Sequence, residues 1–388
     1  MRGGCRREHN SDRDMLETRG IRVVHVIARY PPIVGGAEKV AQSLATQRRN
    51  TASTVVLTSR STEGAVDPAE TGLVRRLWAL QFANTKIIPG LAGAILRLPR
   101  GSVIHLHVNS ALVPETVYAA HVLRGTRYIA HLHFDISTSR HWAGPVLRRV
   151  WMPVVLRRVL RAAAAVVVFT EEQRQAVASE YGVDVARIFA MRNGVEGSFF
   201  NDDERVLPAR PRLLYVGRLA VEKNVSALLQ ALAGISERFE TTLVGDGNLE
   251  SDLKHESAKL GLRNVWFHGR AAGQELLAAY RTADVLVLPS RHEGMSLVLL
   301  EALAMGLPVV ATDISGNREV VLHGENGLLV PPDDPAALRA ALLEIIADPD
   351  RYQRMSRAAR KLAEQYRWES VSDDFERLYS WVRGPGFW

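Results

Sequence analysis

Cysteine is almost missing from this chain: Cys5 is the single one among 388 residues. One thiol excludes an intrachain disulfide and a zinc site made of several thiolates. Because proteins kept in a reducing compartment commonly lack disulfides, this composition favours a cytoplasmic location.

Long hydrophobic runs are missing as well, although 47% of the residues are hydrophobic. The longest candidates, near Leu91 and Ala162, are short or interrupted by arginine, whereas a membrane-spanning helix needs about 18–20 apolar residues. Residues 1–20 are polar and lack the apolar core of a secretory signal. The sequence therefore predicts a disordered tail there, with Met15 as an alternative start.

Positive charge, by contrast, is concentrated in one segment. Residues 72–170 hold thirteen Arg and Lys against two acids, Glu115 and Asp135, which is a net +11. The whole chain carries +7, so the remainder sums to −4. Such asymmetry predicts a basic face that meets an anionic partner, either nucleic acid, a phospholipid surface or a phosphorylated substrate. A surface tuned only for solubility is the plain alternative.

The length and the spacing of apolar runs predict two α/β domains. A chain of 388 residues exceeds the size of one typical core. Short β-branched runs alternate with helically spaced segments, which is typical of parallel sheets buried on both faces. Strands are predicted at 21–28, 53–59, 103–108, 127–133, 164–170, 212–217, 240–245, 264–269, 284–290, 308–313 and 327–332. Helices are predicted between them, for example at 37–49, 171–181, 249–260 and 336–346.

The polar, proline-containing segment 201–211 is the predicted join between two doubly wound domains. We therefore expect a tail over 1–20, a first domain over 21–205 and a second domain over 206–368. A helix within 369–388 is expected to pack back towards the first domain. In such sheets ligands bind beyond the carboxyl ends of the strands, so the turns after strands are the places to search for chemistry.

Two of these turns combine glycine or positive charge with the start of a helix. Gly35 and Gly36 precede the helix predicted from Ala37, where backbone N–H groups can approach an anion closely. Arg218 and Lys223 straddle the turn after strand 212–217, and two cations there would suit a diphosphate. The plain alternatives are a tight turn and two solvent-exposed charges.

A glycine pair and two glutamates mark two further turns. "VGDGNLE" (244–250) resembles part of a dinucleotide fingerprint but lacks the third glycine, so a nicotinamide or flavin site is poorly supported. In "RHEGMSLVLLEALAMG" (291–306), Glu293 precedes a predicted helix and Glu301 lies on its second turn. The helix N-terminus between them offers free N–H groups to a phosphate, with a glutamate on either side for hydroxyl groups. That arrangement predicts a nucleotide-sugar site.

Taken together, these stretches resemble the retaining glycosyltransferases of the GT-B fold, family 4. The likeness covers Ile21 to about Trp368 and is densest in the second half. Its motifs are "PPIVGGAE" (31–38), "VGRLAVEKN" (216–224), "VGDG" (244–247), "EGMSLVLLE" (293–301) and "ALAMGLPVVATDISGNREVV" (302–321). The resemblance implies a GT-B fold, with two Rossmann-like domains facing a cleft and a nucleotide-sugar donor.

The resemblance also implies roles for individual residues of the second domain. Arg218 and Lys223 would hold the donor diphosphate and stabilise it as a leaving group. Glu293 would contact the sugar hydroxyls and Glu301 the ribose. Backbone N–H groups near Ser296 and Leu297 would contact phosphate or sugar, and Gly245 is assigned to the same donor site.

In the first domain the resemblance implies that Gly35 and Gly36 touch phosphate or sugar. It also implies a histidine near the donor sugar, after a strand. "AHLHF" (130–134) makes His133 the best match, with His131 and His107 as rivals.

The implied reaction is transfer of a sugar with retention, by attack on the same face as the departing diphosphate. No second carboxylate suited to a covalent intermediate is evident. "DPD" (348–350) has the letters of a metal motif but lies in a helical segment. No essential metal and no cofactor are therefore expected.

The acceptor is the least determined partner. In this family the first domain usually binds it, and here segments 75–86 and 144–165 combine arginines with aromatic and aliphatic residues. Segment 144–165 fits two alternatives: a core helix whose arginines snorkel to the surface, or a surface that lies at a membrane interface. We expect a saccharide or lipid-linked acceptor used in cell-surface polysaccharide or glycolipid biosynthesis, with peripheral contact to an anionic membrane. A polycationic acceptor such as an aminoglycoside fits the basic face poorly.

Three other functions fit part of the sequence. A soluble secondary metabolite is the second acceptor class. Nucleotide-sugar epimerases share the fold. A basic nucleic-acid-binding protein would leave the diphosphate turns unexplained, so no nucleic-acid partner is expected.

Overall fold

The computed structural model describes residues 21–31, 35–47, 53–60, 74–82, 85–133 and 154–384. The chain divides into two compact units. Residues up to Met191 and residues from Glu369 onward form the first unit, and Arg192–Trp368 form the second. The predicted tail over 1–20 and the first ten residues of 144–165 lie outside the described ranges.

Among the described residues of the first unit, seven parallel strands form one sheet in the order β3-β2-β1-β6-β7-β8-β9. Its strands are β1 (Ile21–Val26), β2 (Ser53–Ser59), β3 (Val74–Leu77), β6 (Val103–Val108), β7 (Tyr128–Leu132), β8 (Ala165–Val168) and β9 (Ile188–Ala190). Strands β4 (Leu80–Phe82) and β5 (Thr85–Ile87) pair as a separate antiparallel hairpin. The helices are α1 (Gly36–Gln47), α2 (Leu91–Leu96), α3 (Val113–Arg124), α4 (Arg157–Ala162), α5 (Glu171–Tyr181) and, at the end of the chain, α13 (Trp368–Arg383).

The second unit carries a six-stranded parallel sheet in the order β12-β11-β10-β13-β14-β15. Its strands are β10 (Arg212–Val216), β11 (Glu240–Val244), β12 (Val265–Gly269), β13 (Val285–Leu288), β14 (Val309–Thr312) and β15 (Gly327–Val330). Its helices are α6 (Val225–Leu232), α7 (Glu250–Lys259), α8 (Gly273–Thr282), α9 (Leu297–Ala304), α10 (Ser315–Arg318), α11 (Pro335–Ala347) and α12 (Pro349–Ala363).

The central strands are buried along their whole length because both faces of each sheet are covered. Every residue of β6, β7, β13 and β14 is buried. A strand with one solvated face would alternate instead. The predicted fold class, two doubly wound parallel α/β domains, is confirmed by these two sheets.

The C-terminal helix α13 supplies part of the core of the first unit. Its buried residues recur every three or four positions, as expected for a helix with one apolar face. They include Val371, Phe375, Tyr379 and Val382. Across the sheet, the Phe375 ring lies 5.6 Å from the ring of His105.

The division between the units differs from the predicted join. It falls after Met191, whereas the sequence placed the join within 201–211. Two hydrogen bonds within the second unit explain why the boundary lies earlier than predicted. The Val195 N–H donates to the carbonyl of Tyr366 at 2.7 Å, and the Arg205 side chain donates to the carbonyl of Met305 at 2.7 Å. The polar segment is thus held to the second unit by hydrogen bonds that composition alone does not reveal.

Within the ranges that the structure describes, no helix combines the length and the apolar character that crossing a bilayer requires.

Candidate functional site

The loops after β10 and β13 meet at one edge of the second sheet. The two strands are parallel neighbours, so their carboxyl ends lie side by side. The loop after β10 holds Lys223, and the loop after β13 holds Glu293. Their side chains form an ion pair, with Lys223 Nζ 2.6 Å from Glu293 Oε1.

The Lys223–Glu293 pair is largely shielded from water. The lysine side chain is 19% exposed and the glutamate 9%. Glu293 Oε1 also accepts a hydrogen bond of 2.8 Å from the Ser290 hydroxyl. Both bonds end on Oε1, so Oε2 is the oxygen that can face a ligand hydroxyl.

Arg218 belongs to the same loop but lies much further into solvent. Its side chain is 72% exposed, and it pairs with Glu222 at 2.7 Å. The structure therefore gives each of the two predicted cations a carboxylate partner. A diphosphate bound here would take over cations that are already balanced by acids. Glu222 was missed by the sequence analysis, because Arg218 lies in a turn where the four-residue spacing of helices gives no signal.

The N-terminus of α9 directly follows the loop that carries Glu293 and has no side-chain cap. Ser296 is the residue before the helix, and its side chain makes no capping hydrogen bond. The first N–H groups of a helix have no partner within the helix and carry a positive partial charge. The helix start at Leu297 therefore offers donors for an anion three to four residues after Glu293.

Glu301 is buried on the next turn of α9 and is held by a tyrosine. The residue is 5% exposed, and its Oε2 accepts a hydrogen bond of 2.8 Å from Tyr280 of α8. Burial and the neighbouring Glu301 charge raise the pKa of Tyr280 well above its usual value, so it stays a donor. Tyr280 was missed by the sequence analysis because nothing local in α8 indicates a partner 21 residues later.

The glycines of "VGDG" let two loops approach each other closely. Gly245 lies against the carbonyl of Gly217, where a Cβ would come within 1.9 Å of the oxygen. Gly247 lies against Leu219 in the same way, at 2.3 Å from its oxygen. The bond from Leu219 N to Asp246 O, at 2.7 Å, fastens the two loops. In this structure, Gly245 shapes the loop that carries Arg218 and Lys223.

A third tight contact lies against the backbone of the loop that carries Glu293. Gly316 of α10 lies against the 293–294 backbone, where a Cβ would come within 1.9 Å of Gly294 O and 2.5 Å of Glu293 O. The site loop after β13 therefore rests on a residue without a side chain.

In the first unit, Gly35 and Gly36 stand at the start of α1 as the sequence predicts. The structure adds Glu38, whose carboxylate lies over Gly35: a Cβ there would come within 2.3 Å of Glu38 Oε2. Glu38 is 9% exposed, and Asn109 donates to its Oε1 at 3.4 Å. Burial raises the pKa of Glu38. A carboxylate at this helix start disfavours a phosphate and suits a hydroxyl group.

His133 follows β7 directly and stands at the end of a row of histidines. We call the five residues His25, His105, His107, His131 and His133 the histidine ladder. Strand register builds it, because His25 pairs with His105 and His107 pairs with His131 in adjacent parallel strands. Four of the five rings are at most 1% exposed, and His133 alone among them is half-buried. Of the three candidates from the sequence, His133 is thus the one that a ligand can reach.

Three rings of the ladder, those of His107, His131 and His133, have lowered pKa values and are neutral at pH 7. Burial, followed by repulsion from the other ladder histidines, holds the pKa of His107 and of His131 well below the usual value. Burial also lowers the pKa of His133, to about 3. Charging His107 or His131 would place an unsolvated cation inside the sheet.

Comparison with known proteins places the chain in a family. A sequence model described as "Glycosyl transferases group 1" matches residues 200–362, and one described as "Glycosyl transferase 4-like domain" matches residues 35–194. Glycogen synthase of Mycobacterium tuberculosis is 30% identical over 396 aligned positions, which cover 92% of this chain and 94% of that one. The chain belongs to the group 1 glycosyltransferases. It is a glycosyltransferase that moves a sugar from a nucleotide-sugar donor.

Two further proteins resemble this glycosyltransferase. Alpha-D-kanosaminyltransferase of Streptomyces kanamyceticus is 27% identical over 73% of this chain and 78% of its own. The crystal structure of Anabaena Alr3699/HepE in complex with UDP and glucose superposes with a TM-score of 0.76 at 20% identity, over 92% of this chain and 99% of that one. This likeness confirms the predicted GT-B fold.

Proposed function

We propose that this glycosyltransferase is a retaining enzyme of family 4 whose donor diphosphate binds at the carboxyl edge of the second sheet. The observation that carries the proposal is the shielded Lys223–Glu293 pair, 2.6 Å apart, just before the uncapped start of α9. Cation, carboxylate and helix N-terminus together match a group with a charged diphosphate and neutral hydroxyls.

Each donor-site residue receives a role on chemical grounds. Lys223 and Arg218 are proposed to bind the diphosphate, which replaces their present carboxylate partners. N–H groups at Ser296 and Leu297 are proposed to bind a phosphate oxygen. Glu293 Oε2 is proposed to accept from a sugar hydroxyl.

The remaining predicted residues are assigned to hydroxyl groups. Glu301, held by Tyr280, is proposed to bind the ribose. Gly35 and Gly36 are proposed to contact the sugar rather than phosphate, because the Glu38 carboxylate lies there. His133 is proposed to contact the transferred sugar. No metal is proposed.

In the proposed reaction, the bond between the sugar C1 and the diphosphate oxygen breaks, and its electron pair leaves with the diphosphate. The acceptor oxygen bonds to C1 on the same face, and its proton passes to the departing phosphate. Positive groups aimed at the leaving oxygen lower the barrier, and one such donor can contribute about 10²–10³ in rate. Product NMR tests retention: an inverted anomeric configuration would overturn this part of the proposal.

The donor site is tested first by thermal unfolding with UDP-, GDP- and ADP-sugars in the presence of EDTA. A ligand at about 100 times its dissociation constant adds about 2.7 kcal/mol of stability. We expect one nucleotide class to stabilise the wild type, and Glu301→Ala to reduce that effect. Glu325→Ala, at an exposed position of the same unit, is the matched control and should respond like the wild type. If no donor stabilises the protein, with or without an acceptor present, the donor-site assignment is wrong.

For the acceptor, we propose a lipid-linked saccharide. Support comes from the net +11 of residues 72–170 and from Trp78 and Leu80, which are 60% and 48% exposed within that basic segment. Exposed aromatic and aliphatic residues in a basic segment suit an anionic interface. Transfer of labelled sugar to an organic-extractable product is expected. Label that stays in a small water-soluble product would favour the second candidate, a soluble acceptor, which the kanosaminyltransferase likeness supports.

A further inference from the structure

The histidine ladder contains two separate lines of hydrogen bonds. In the first, His25 Nδ1 lies 3.0 Å from His107 Nε2, and His107 Nδ1 lies 2.8 Å from His133 Nε2. In the second, the Tyr379 hydroxyl lies 2.7 Å from His105 Nδ1, and His105 Nε2 lies 3.0 Å from His131 Nδ1. The first line ends on the one ladder ring that is half-buried rather than buried.

The nitrogens of the ladder face one another rather than a common centre. Two triads, His25–His105–His107 and His107–His131–His133, bring nitrogens within 4.8 Å of one another. A metal would need lone pairs converging on one point about 2.0–2.1 Å away. The rings instead stack, with His105 and His107 4.4 Å apart at 4° and His107 and His133 5.0 Å apart at 24°. Hydrogen bonding between rings is therefore what this arrangement serves.

A line of neutral histidines couples the proton positions along it. A neutral imidazole has one N–H donor and one acceptor nitrogen, so each contact between two rings holds a single proton. The line His25–His107–His133 therefore has two neutral arrangements. In one, His133 Nε2 donates inward and Nδ1 is a bare acceptor. In the other, Nε2 accepts from His107 and Nδ1–H donates outward.

We propose that His107 is a positioning residue that fixes one tautomer of His133. Nδ1 of His133 then faces the donor sugar in one role only, either as a hydrogen-bond donor or as an acceptor. This inference rests on the proposed role of His133 at the sugar. A histidine in the wrong tautomer is costly: in a serine protease triad the corresponding loss is about 10⁴ in kcat.

The tautomer is measured on the wild-type protein by ¹⁵N NMR of labelled histidine, with His133→Gln used to assign the His133 signals. We expect one neutral tautomer of His133 at pH 7. A mixture of tautomers, or a cationic ring at that pH, would overturn the proposal. The measurement on the wild type needs no donor, so it stands if the enzyme proves to use another substrate.

Two variants of His107 separate its two bonds. In place of the His107 ring, the amide of an asparagine occupies the position of Nδ1, and the amide of a glutamine occupies the position of Nε2. His107→Asn therefore keeps the bond towards His133 and loses the bond to His25, whereas His107→Gln does the reverse. We expect His107→Gln to lower kcat by about tenfold or more, in the range found for lost supporting hydrogen bonds, with the donor KM changed less than about threefold. His107→Asn should retain most of kcat.

Tyr379→Phe is the control, because it removes a hydroxyl from the second line and leaves the first intact. It should keep kcat while lowering stability. Equal kcat in His107→Gln and His107→Asn would show that His107 only packs, and would overturn the proposal. Absence of transfer by the wild type would contradict the proposed function instead, and the tautomer measurement would remain valid.

Discussion

Glu301 is a carboxylate whose direction is set before any ligand arrives. It lies on α9, and the buried Tyr280 hydroxyl donates to its Oε2 at 2.8 Å. A held carboxylate loses less conformational freedom on binding than a free one, so the ligand gains affinity. Tyr280 is therefore a residue whose effect on the donor is indirect.

We predict that Tyr280→Phe weakens donor binding without abolishing transfer. Without the tyrosine, the donor must immobilise Glu301 itself, which costs about 0.5–1.5 kcal/mol and corresponds to roughly two- to tenfold in affinity. Steady-state kinetics should show a higher donor KM and little change in kcat.

Tyr352→Phe is the matched control for this prediction. Tyr352 is also buried in the second unit, but its hydroxyl donates to the carbonyl of Asp284 at 2.9 Å. It should lose stability and keep the donor KM. Equal KM values for the two variants would contradict a role for Tyr280 in holding Glu301.

At the scale of elements, the donor site depends on how closely loops pack at the end of the second sheet. The loop after β13 carries Glu293 and rests on α10, and the loop after β10 rests on "VGDG". These contacts are between backbones, so the geometry of the site is set by glycine rather than by side chains.

We predict that Gly316→Ala displaces the Glu293 loop. The added Cβ would come within 1.9 Å of Gly294 O, so the loop or α10 must shift. Overpacking of this kind costs about 1–3 kcal/mol, and donor-induced thermal stabilisation should fall with it. Gly197→Ala is the control, because a Cβ there meets nothing within 4 Å. A Gly316→Ala enzyme with unchanged donor binding would show that the loop does not need this contact.

Helices and strands could be predicted where their sequence signal is local. The candidate site could be predicted only in part. The predicted bounds of β2, β6 and α5 agree with the structure, because apolar β-branched runs and helical spacing are properties of neighbouring residues. The short strands β3 and β9 were missed, since four and three residues give too little pattern.

Non-local pairing limited the prediction of the site. Lys223 and Glu293 were both singled out, but their ion pair depends on β10 and β13 being neighbours. The histidine ladder likewise depends on the register of β1 against β6, 82 residues apart at His25 and His107. No window of sequence contains that register.

At the scale of the whole molecule, the ladder links stability to pH. The folded-state pKa values of His107, His131 and His133 are lowered, the last to about 3, against about 6.5 in the unfolded chain. Below pH 6.5 the unfolded chain therefore binds protons that the folded chain does not, so unfolding becomes easier as pH falls. Tyr379 and Phe375 face the same rings and bring no compensating acid.

We predict that the urea concentration at the midpoint of unfolding of the first unit decreases when the pH is lowered from 7 to 5. Each histidine kept neutral contributes up to about 1.4 kcal/mol per pH unit over this range. His107→Asn should reduce the slope, whereas His255→Gln, exposed on α7, should leave it unchanged. The raised pKa of Glu38 acts in the opposite direction. A midpoint independent of pH would show that the ladder is charged or solvated.

The order of synthesis gives α13 a significance of its own. The first unit begins at the start of the chain and is completed by residues after Glu369, whereas the second is the continuous stretch Arg192–Trp368. At about 5–20 residues per second, a ribosome needs roughly 9–35 s to make those intervening residues. Throughout that time the nascent first sheet has no Phe375 or Tyr379 to cover its histidines. Chaperones in the cell would therefore meet this protein with its earliest-made half still unfinished and its later-made half already able to fold.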